Sequence, residues 1–151
     1  MLQRVGLPFM KMYGKSRLTM WKKFLKERGD VAYLIFRLII GIMFAMHGAQ
    51  NLWGWFDPKF MAEPMSLEWI GGFIMLIGGI AIALGILVEA FAVLGAATMF
   101  VAYFWHHATI YNWWSPLANE GESAVLYLLA LIVLATQGAR KWGIEQYFSA
   151  K

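Results

Sequence analysis

The side chains best suited to proton or anion chemistry lie in and beside long apolar segments of this sequence. The apolar run from residue 31 to residue 56 is interrupted only by Arg37, His47, Gln50 and Asn51. Placing an ionisable group in a membrane span costs about 3 kcal/mol even on the mildest insertion scale. We therefore expect these polar side chains to face other helices or a polar cavity rather than lipid.

A layer of histidines and carboxylates is predicted near the outer leaflet. His47 lies ten residues beyond Arg37, which places it ~15 Å further along a helix. Two histidines and two carboxylates belong to neighbouring helix ends on the same side: His106, His107, Glu120 and Glu122. Such a layer suits a quinone head group, a metal or a proton path, since imidazole titrates near neutral pH. The same pattern also fits a layer of interfacial histidines whose hydrogen bonds are satisfied and which have no role in chemistry.

This layer supplies the candidate catalytic residues, which are His47, His106, His107 and Glu122. The sequence contains no HExxH motif, and adjacent histidines point in different directions on a helix. We therefore predict no metal site. The nearby aromatic residues are interpreted as interfacial belt and packing side chains: Tyr103, Tyr111, Trp113, Trp114 and Tyr127.

A second polar centre is predicted on the cytosolic side. Arg37 lies about two turns into the first span, and Glu89 lies at the turn between the second and third helices. A bidentate pair between them would lower the cost of burying each charge. The pair is interpreted either as a structural clamp or as an anion site that Glu89 orients. The candidate quinone or anion site comprises Arg37, Glu89, His47, Gln50 and Tyr127.

The sequence predicts an all-α fold, a polytopic membrane four-helix bundle with an extra N-terminal amphipathic helix. Hydrophobic residues make up 60% of the 151-residue chain, too many for a soluble core of this size. The apolar stretch from Trp69 to Trp105 would be ~55 Å long as one helix, so it must reverse near Gly85 and Glu89. The four predicted spans are residues 31–56, 67–87, 90–110 and 122–139.

The N-terminal region is predicted to be a basic cytosolic segment, residues 1–30, ahead of a membrane domain over 31–141 and a cytosolic tail over 142–151. Residues 1–15 are interpreted as an irregular lead-in. Ser16 can cap an amphipathic helix that Gly29 and Asp30 end. Its apolar stripe and basic face suit the cytoplasmic headgroup layer, and docking on a partner subunit would give the same pattern.

The distribution of charge predicts the orientation. Eight of the thirteen Lys and Arg precede residue 29 and three follow residue 139, which is the positive-inside pattern rather than a nucleic-acid surface. We expect both termini in the cytosol, outer loops at 57–66 and 111–121, and no removable signal peptide. The chain has no cysteine, which excludes disulfides and thiolate metal sites.

Small residues at helical spacing predict close helix packing. The predicted stripe on the first helix is Gly41, Ala45 and Ala49, and that on the second is Gly71, Gly78 and Gly85. Spacings of four and seven residues let helix backbones approach closely. The general richness of membrane helices in glycine is the alternative explanation.

Two motifs resemble the DoxX/DoxD family of small four-helix membrane proteins, over about residues 31–145. The first is RLIIGIMFAMHGAQNLWGWF, and the second is NEGESAVLYLLALIVLATQGARKWGIE with AYFWHH before it. The positions that match the family pattern are Arg37, Gly41, His47, Gly48, Gly121, Glu122, Tyr127, Gly138 and Trp142. Asn51 stands where Lys is common, and Arg140, Gly143 and Glu145 depart from the usual end of the second motif.

The resemblance implies a membrane subunit of a quinone-linked respiratory or redox complex, similar to the DoxD subunit of thiosulfate-quinone oxidoreductase. It implies a quinone or quinol as cofactor and catalysis only within a complex, not by this chain alone. The expected partners are the lipid bilayer of a prokaryotic cytoplasmic membrane, other membrane subunits or further copies of the chain, with no nucleic acid. The alternative is a non-catalytic accessory subunit that stabilises a larger assembly.

Overall fold

Five α-helices account for most of the part of the chain that the structure describes. The computed structural model describes residues 8–108 and 112–149. The helices are α1 (Pro8–Trp53), α2 (Leu67–Leu84), α3 (Val88–Ala102), α4 (Glu122–Gln137) and α5 (Glu145–Ser149). A 3-10 turn covers Pro58–Phe60, and a π turn over Tyr103–His107 extends α3. No strand occurs within those two ranges, which confirms the predicted all-α class.

Within the part of the chain that the structure describes, three segments are long and apolar enough to cross a membrane, namely Met20–Trp53, Leu67–Leu84 and Val88–His107. The fourth apolar helix, α4, has 16 residues. It is therefore ~24 Å long, somewhat shorter than a ~30 Å hydrocarbon layer. The membrane helical bundle is confirmed, whereas the fourth span and the orientation stay predictions.

The first helix is longer than predicted. It begins at Pro8 and continues through Gly29 and Asp30 to Trp53, so the predicted irregular segment over 8–15, the Ser16 cap and the break at Gly29 are wrong. Residues 1–7 of the predicted lead-in lie outside the described residues. Pro is favourable at the first helical position, and a single glycine costs only about 1 kcal/mol inside a helix. That cost is too small to end a helix whose following residues are strongly apolar.

The chain divides into two compact units, one ending at Tyr33 and the other beginning at Leu34. In the first unit, the apolar side chains Met20, Trp21, Phe24 and Leu25 are exposed. The guanidinium of Arg28 lies 4.8 Å from the ring centre of Phe24. The described part of this unit is thus a helix with an exposed apolar stripe and basic neighbours.

In the second unit, α1 and α2 pack with their backbones in direct contact. A Cβ atom placed on Gly41 would lie 2.7 Å from the carbonyl oxygen of Gly79, and one on Gly48 would lie 2.6 Å from that of Gly72. A Cβ on Gly79 would overlap the backbone nitrogen of Ala45. The contacting stripe is therefore Gly41, Ala45 and Gly48 against Gly72 and Gly79.

On α1, the contact retains the predicted Gly41 and Ala45, with Gly48 in place of Ala49. On α2, the contacting glycines each lie one residue beyond the predicted Gly71 and Gly78. A Cβ on Gly78 would meet Phe91 of α3 at 3.6 Å, and one on Gly71 would meet Thr98 of α3 at 3.4 Å. These distances are ordinary van der Waals contacts, so Gly71 and Gly78 face α3 rather than α1. In each pair of adjacent glycines on α2, the first glycine therefore contacts α3 and the second makes the close contact with α1.

The other helices pack around Gly95 of α3. A Cβ on Gly95 would lie 3.0 Å from Cε1 of Phe44 in α1 and 3.2 Å from Cδ1 of Leu131 in α4. Phe44 and Leu131 are both fully buried. The predicted reversal between α2 and α3 is confirmed at Gly85, which ends α2 in the left-handed conformation with φ 73°, a conformation that glycine adopts without strain.

Candidate functional site

Arg37 is the most deeply buried charged side chain of the described residues, with 1% of its surface exposed. Its guanidinium donates hydrogen bonds to the backbone carbonyl oxygens of Ala139 and Trp142, the second at 3.0 Å. Both acceptors lie just beyond the end of α4. Arg37 thus ties the first described span to the chain segment that follows the last apolar helix.

The backbone after α4 turns sharply to present these carbonyls. Gly138, Arg140 and Trp142 all have positive φ, at 62°, 50° and 61°. A non-glycine residue in this conformation costs roughly 1–2 kcal/mol, so the hydrogen bonds to Arg37 help to hold a strained path. The C-terminal end of a helix also carries partial negative charge, which helps to compensate the buried guanidinium.

The end of α2 meets the same segment. A Cβ placed on Gly85 would lie 3.1 Å from Cζ of Arg37. The backbone nitrogen of Ile144 donates to the carbonyl of Leu84 at 3.1 Å, and that of Glu145 donates to the carbonyl of Gly85 at 3.3 Å. We call Arg37 together with residues 138–145 the inner clasp. Residues 142–145, predicted as the start of a tail, are therefore bonded to the bundle.

The carboxylate of Glu145 completes the inner clasp, because its Oε2 accepts a hydrogen bond from the backbone nitrogen of Leu87 at 3.0 Å. Leu87 precedes α3 and has a positive φ of 45°. Glu145 therefore supplies the side-chain acceptor near the start of α3 that Leu87 itself lacks. Glu145, which departs from the family pattern, thus places a carboxylate at the α2–α3 turn.

Glu89 also contacts the inner clasp. Its carboxylate lies against Gly138, where an added Cβ would overlap Oε1. Two hydrogen-bond acceptors of the Arg37 guanidinium are backbone carbonyls, and the predicted ion pair with Glu89 stays a prediction. Of the two interpretations of Arg37, this geometry supports the structural clamp, with carbonyl oxygens as its acceptors.

A different polar group lies inside the bundle at His47. The ring of His47 is half-buried and packs edge-on to Tyr127, with 5.5 Å between the ring centres. The side chain of Gln50, three residues further along α1, lies close enough to interact with the imidazole. The phenol ring of Tyr127 packs against Phe44 on another side, again at 5.5 Å. Three predicted site residues, His47, Gln50 and Tyr127, are thus brought together.

The hydroxyl of Tyr127 is buried and has no hydrogen-bond partner among the described residues. The whole residue is only 8% exposed. Tyr127 was predicted both as a packing residue and as a member of the candidate quinone site. Its ring does pack in the core, while its hydroxyl oxygen has no hydrogen-bond partner among the described residues.

A separate network around Asn119 holds the C-terminal end of α3. The Nδ2 of Asn119 donates to the hydroxyl oxygen of Tyr103 at 3.2 Å, and that hydroxyl donates to the carbonyl of Trp113 at 2.5 Å. The Oδ1 of Asn119 accepts from the backbone nitrogen of Gly121 at 2.9 Å. Nδ1 of His107 lies 3.2 Å from the carbonyl oxygen of Asn119. This network orders the loop before α4.

His106 points to another partner. Its Nδ1 lies 3.9 Å from a carboxylate oxygen of Glu68, and its side chain is 65% exposed. Its ring also contacts that of His107, with 5.2 Å between ring centres. Glu120 and Glu122 are exposed at the start of α4. No group of three His, Asp or Glu residues within 8–108 and 112–149 is arranged to hold a metal ion, and the common layer of all three histidines stays a prediction.

Several residues of these centres escaped sequence reasoning. Asn119 has no predicted role, although Asn is a common turn residue because its side chain can accept a hydrogen bond from the backbone two residues on, as it does here from Gly121. The acceptors of Arg37 are backbone carbonyls, which carry no residue-type signal at all. The tight faces of Gly72 and Gly79 were missed because each has an adjacent glycine that fits the same spacing.

Comparisons with known proteins agree with this architecture. The DoxX family model matches residues 32–108, just over half of the chain. An uncharacterized protein of Haemophilus influenzae is 28% identical over 127 residues, which cover 76% of this chain and 89% of that protein. No solved structure matches the chain significantly.

Proposed function

The chain belongs to the DoxX family, and on that premise we propose that it is an integral membrane subunit of a quinone-linked respiratory or redox complex. Catalysis then belongs to the assembled complex and not to this chain alone. The proposed location is a prokaryotic cytoplasmic membrane, with four spans and both termini in the cytosol. Other membrane subunits or further copies of the chain are the proposed partners.

The observation that carries this proposal is the polar group formed by His47, Gln50 and Tyr127. It places an imidazole, which can take up or release a proton, beside a buried phenol within an apolar segment. Intramembrane ionisable groups are costly and commonly mark ligand or proton paths. The buried hydroxyl and the half-buried ring fit the head group of a quinone, which would supply two-electron, two-proton redox chemistry when bound.

A second candidate function is an accessory subunit that stabilises a larger assembly without contributing to its chemistry. The inner clasp favours it, since Arg37 is engaged by backbone carbonyls rather than held open for a ligand. The tight contact of α1 with α2 fits the same function, because it makes a rigid unit on which other subunits can pack.

Turnover per assembled complex separates the two functions. The complex is purified gently from native membranes, its chains and quinones are identified, and assembly is quantified separately from quinone-linked turnover. His47→Gln keeps hydrogen bonding but does not titrate near neutral pH. We expect it to lower turnover about ten-fold or more while assembly stays intact, in line with the usual contribution of a positioned acid or base.

His106→Gln tests the second candidate histidine, because His106 is exposed and contacts Glu68 rather than Tyr127. Lowered turnover in this variant too would extend the site to the predicted histidine layer, and retained turnover would confine it to His47. Normal turnover of an intact complex carrying His47→Gln would exclude the chain from the chemistry and leave the accessory function.

A further inference from the structure

The hydroxyl of Tyr127 is a buried polar atom for which the described residues supply no hydrogen-bond partner. Buried hydroxyl groups nearly always have a hydrogen-bond partner in protein or ordered water. The hydroxyl of Tyr127 has none among the described residues. By contrast, the hydroxyl of Tyr103, also on a largely buried tyrosine, has two partners, Trp113 and Asn119.

The surroundings of Tyr127 are mainly aromatic and apolar. Its ring contacts the rings of Phe44 and His47, each at 5.5 Å between centres. Leu131, one turn further along α4, is fully buried. The polar side chain in these contacts is His47.

We propose that the hydroxyl of Tyr127 is a ligand-binding donor, which gives its hydrogen bond to the carbonyl oxygen of an apolar, ring-containing molecule of the membrane that packs beside His47. The proposal rests on the proposed function for the identification of this molecule as a quinone. It adds the contacting atom on the protein, the contacting group on the ligand and the residue at which the ligand approaches.

A carbonyl-bearing ring suits this position better than a water molecule. A stably buried water normally makes two to four hydrogen bonds and needs that many polar partners. A carbonyl oxygen needs one donor, and the remainder of a flat apolar ring can pack on aromatic neighbours. His47 is half-buried and its ring contacts that of Tyr127, so we assign it the side from which the ligand reaches the hydroxyl.

Substituting Tyr127→Phe removes this donor and leaves the ring in place. The full-length protein is purified in detergent and the binding of two probes is measured by equilibrium dialysis. One probe is a short-chain 1,4-benzoquinone, and the other is an alkylbenzene with the same side chain and no oxygen. We expect Tyr127→Phe to bind the benzoquinone about ten-fold more weakly, as befits one lost hydrogen bond, and the alkylbenzene as the wild type does.

Tyr103→Phe is the matched control, because it removes a hydroxyl that already has protein partners. We expect it to lower the unfolding temperature and to leave benzoquinone binding unchanged. Tyr127→Phe should unfold at the wild-type temperature or above without ligand, since it removes a polar atom that lacks a partner. This unfolding measurement shows that the variant is folded in the binding assay.

Equal binding of the benzoquinone by wild type and Tyr127→Phe overturns the proposal. Equal binding combined with a lower unfolding temperature also overturns it, and identifies a buried water as the partner of the hydroxyl. Failure of the wild type to bind the benzoquinone overturns it as well. The proposed function is judged separately, by turnover of the complex carrying His47→Gln, so the two failures are distinguishable.

Discussion

The guanidinium of Arg37 and the backbone carbonyl of Trp142 are joined by a 3.0 Å hydrogen bond across 105 residues of sequence. The hydrogen bond links α1 to the segment beyond α4, and a second one from the same guanidinium reaches Ala139. A buried arginine is usually expected to need a carboxylate. These two acceptors are carbonyls just beyond the C-terminal end of α4, where the helix carries partial negative charge.

Removing the guanidinium should destabilise the bundle strongly. Arg37→Met deletes two charge-assisted hydrogen bonds and leaves two carbonyls without their donor, at a cost of about 3 kcal/mol. Reversible unfolding in detergent measures this loss. Arg28→Met is the matched control on the same helix, where the arginine is exposed, and it should change the unfolding free energy by less than about 0.5 kcal/mol. Equal losses in the two variants would contradict the role of the inner clasp.

The predicted pair between Arg37 and Glu89 is tested by a double-mutant cycle. If the two charges interact, Arg37→Met leaves the carboxylate uncompensated, and adding Glu89→Gln should recover part of the loss. A coupling energy of about 1–3 kcal/mol is then expected. Strict additivity in the same unfolding assay would show that Glu89 contacts Gly138 without interacting with the guanidinium.

Adjacent glycines of α2 provide a test of helix packing. Gly79→Ala places a methyl group on the backbone of Ala45 and should cost about 1–3 kcal/mol through overpacking. Gly78→Ala has 3.6 Å to the nearest side-chain atom and should be neutral or stabilise by about 0.5–1 kcal/mol, because alanine is the better helix former. The two variants are compared by thermal unfolding in the same detergent. A larger loss of stability for Gly78→Ala than for Gly79→Ala would contradict the assignment of Gly79 to the contact with α1.

Cysteine labelling tests the predicted topology. The chain has no cysteine, so single cysteines at the exposed positions Glu63, Leu117 and Gln146 report without background. Those at Glu63 and Leu117 should react with an impermeant thiol reagent in intact cells, and the one at Gln146 should react only after lysis. Asn119 is avoided because it holds the outer loop. Labelling at Gln146 in intact cells would reverse the predicted orientation.

Much of the fold follows from patterns that are local in sequence. Apolar length gives the helices, Ser66 caps α2 by accepting from the backbone of Trp69, and Gly85 marks the reversal. The long α1 was missed because Gly29 and Asp30 resemble a break, although their propensity cost is smaller than the gain from continuing the helix. The glycine register was off by one residue because the pairs at 71–72 and 78–79 offer two equivalent stripes.

The candidate site was predictable only in part, because residue types reveal its side chains but not its backbone. His47, Gln50 and Tyr127 are polar residues in apolar segments, so their types mark them directly. The inner clasp depends on where backbone carbonyls point after α4, which is set by the left-handed conformations at Arg140 and Trp142. Residue types do not reveal such conformations at positions that are not glycine.

The most direct test of the quinone-linked function is photo-cross-linking in native membranes. A photoreactive quinone analogue is bound, activated by light, and its attachment sites are mapped by mass spectrometry, with and without excess unlabelled quinone. The predicted result is labelling near His47 on α1 and near Tyr127 on α4 that excess quinone abolishes. Labelling confined to other chains, or labelling of this chain that excess quinone does not reduce, would contradict the account.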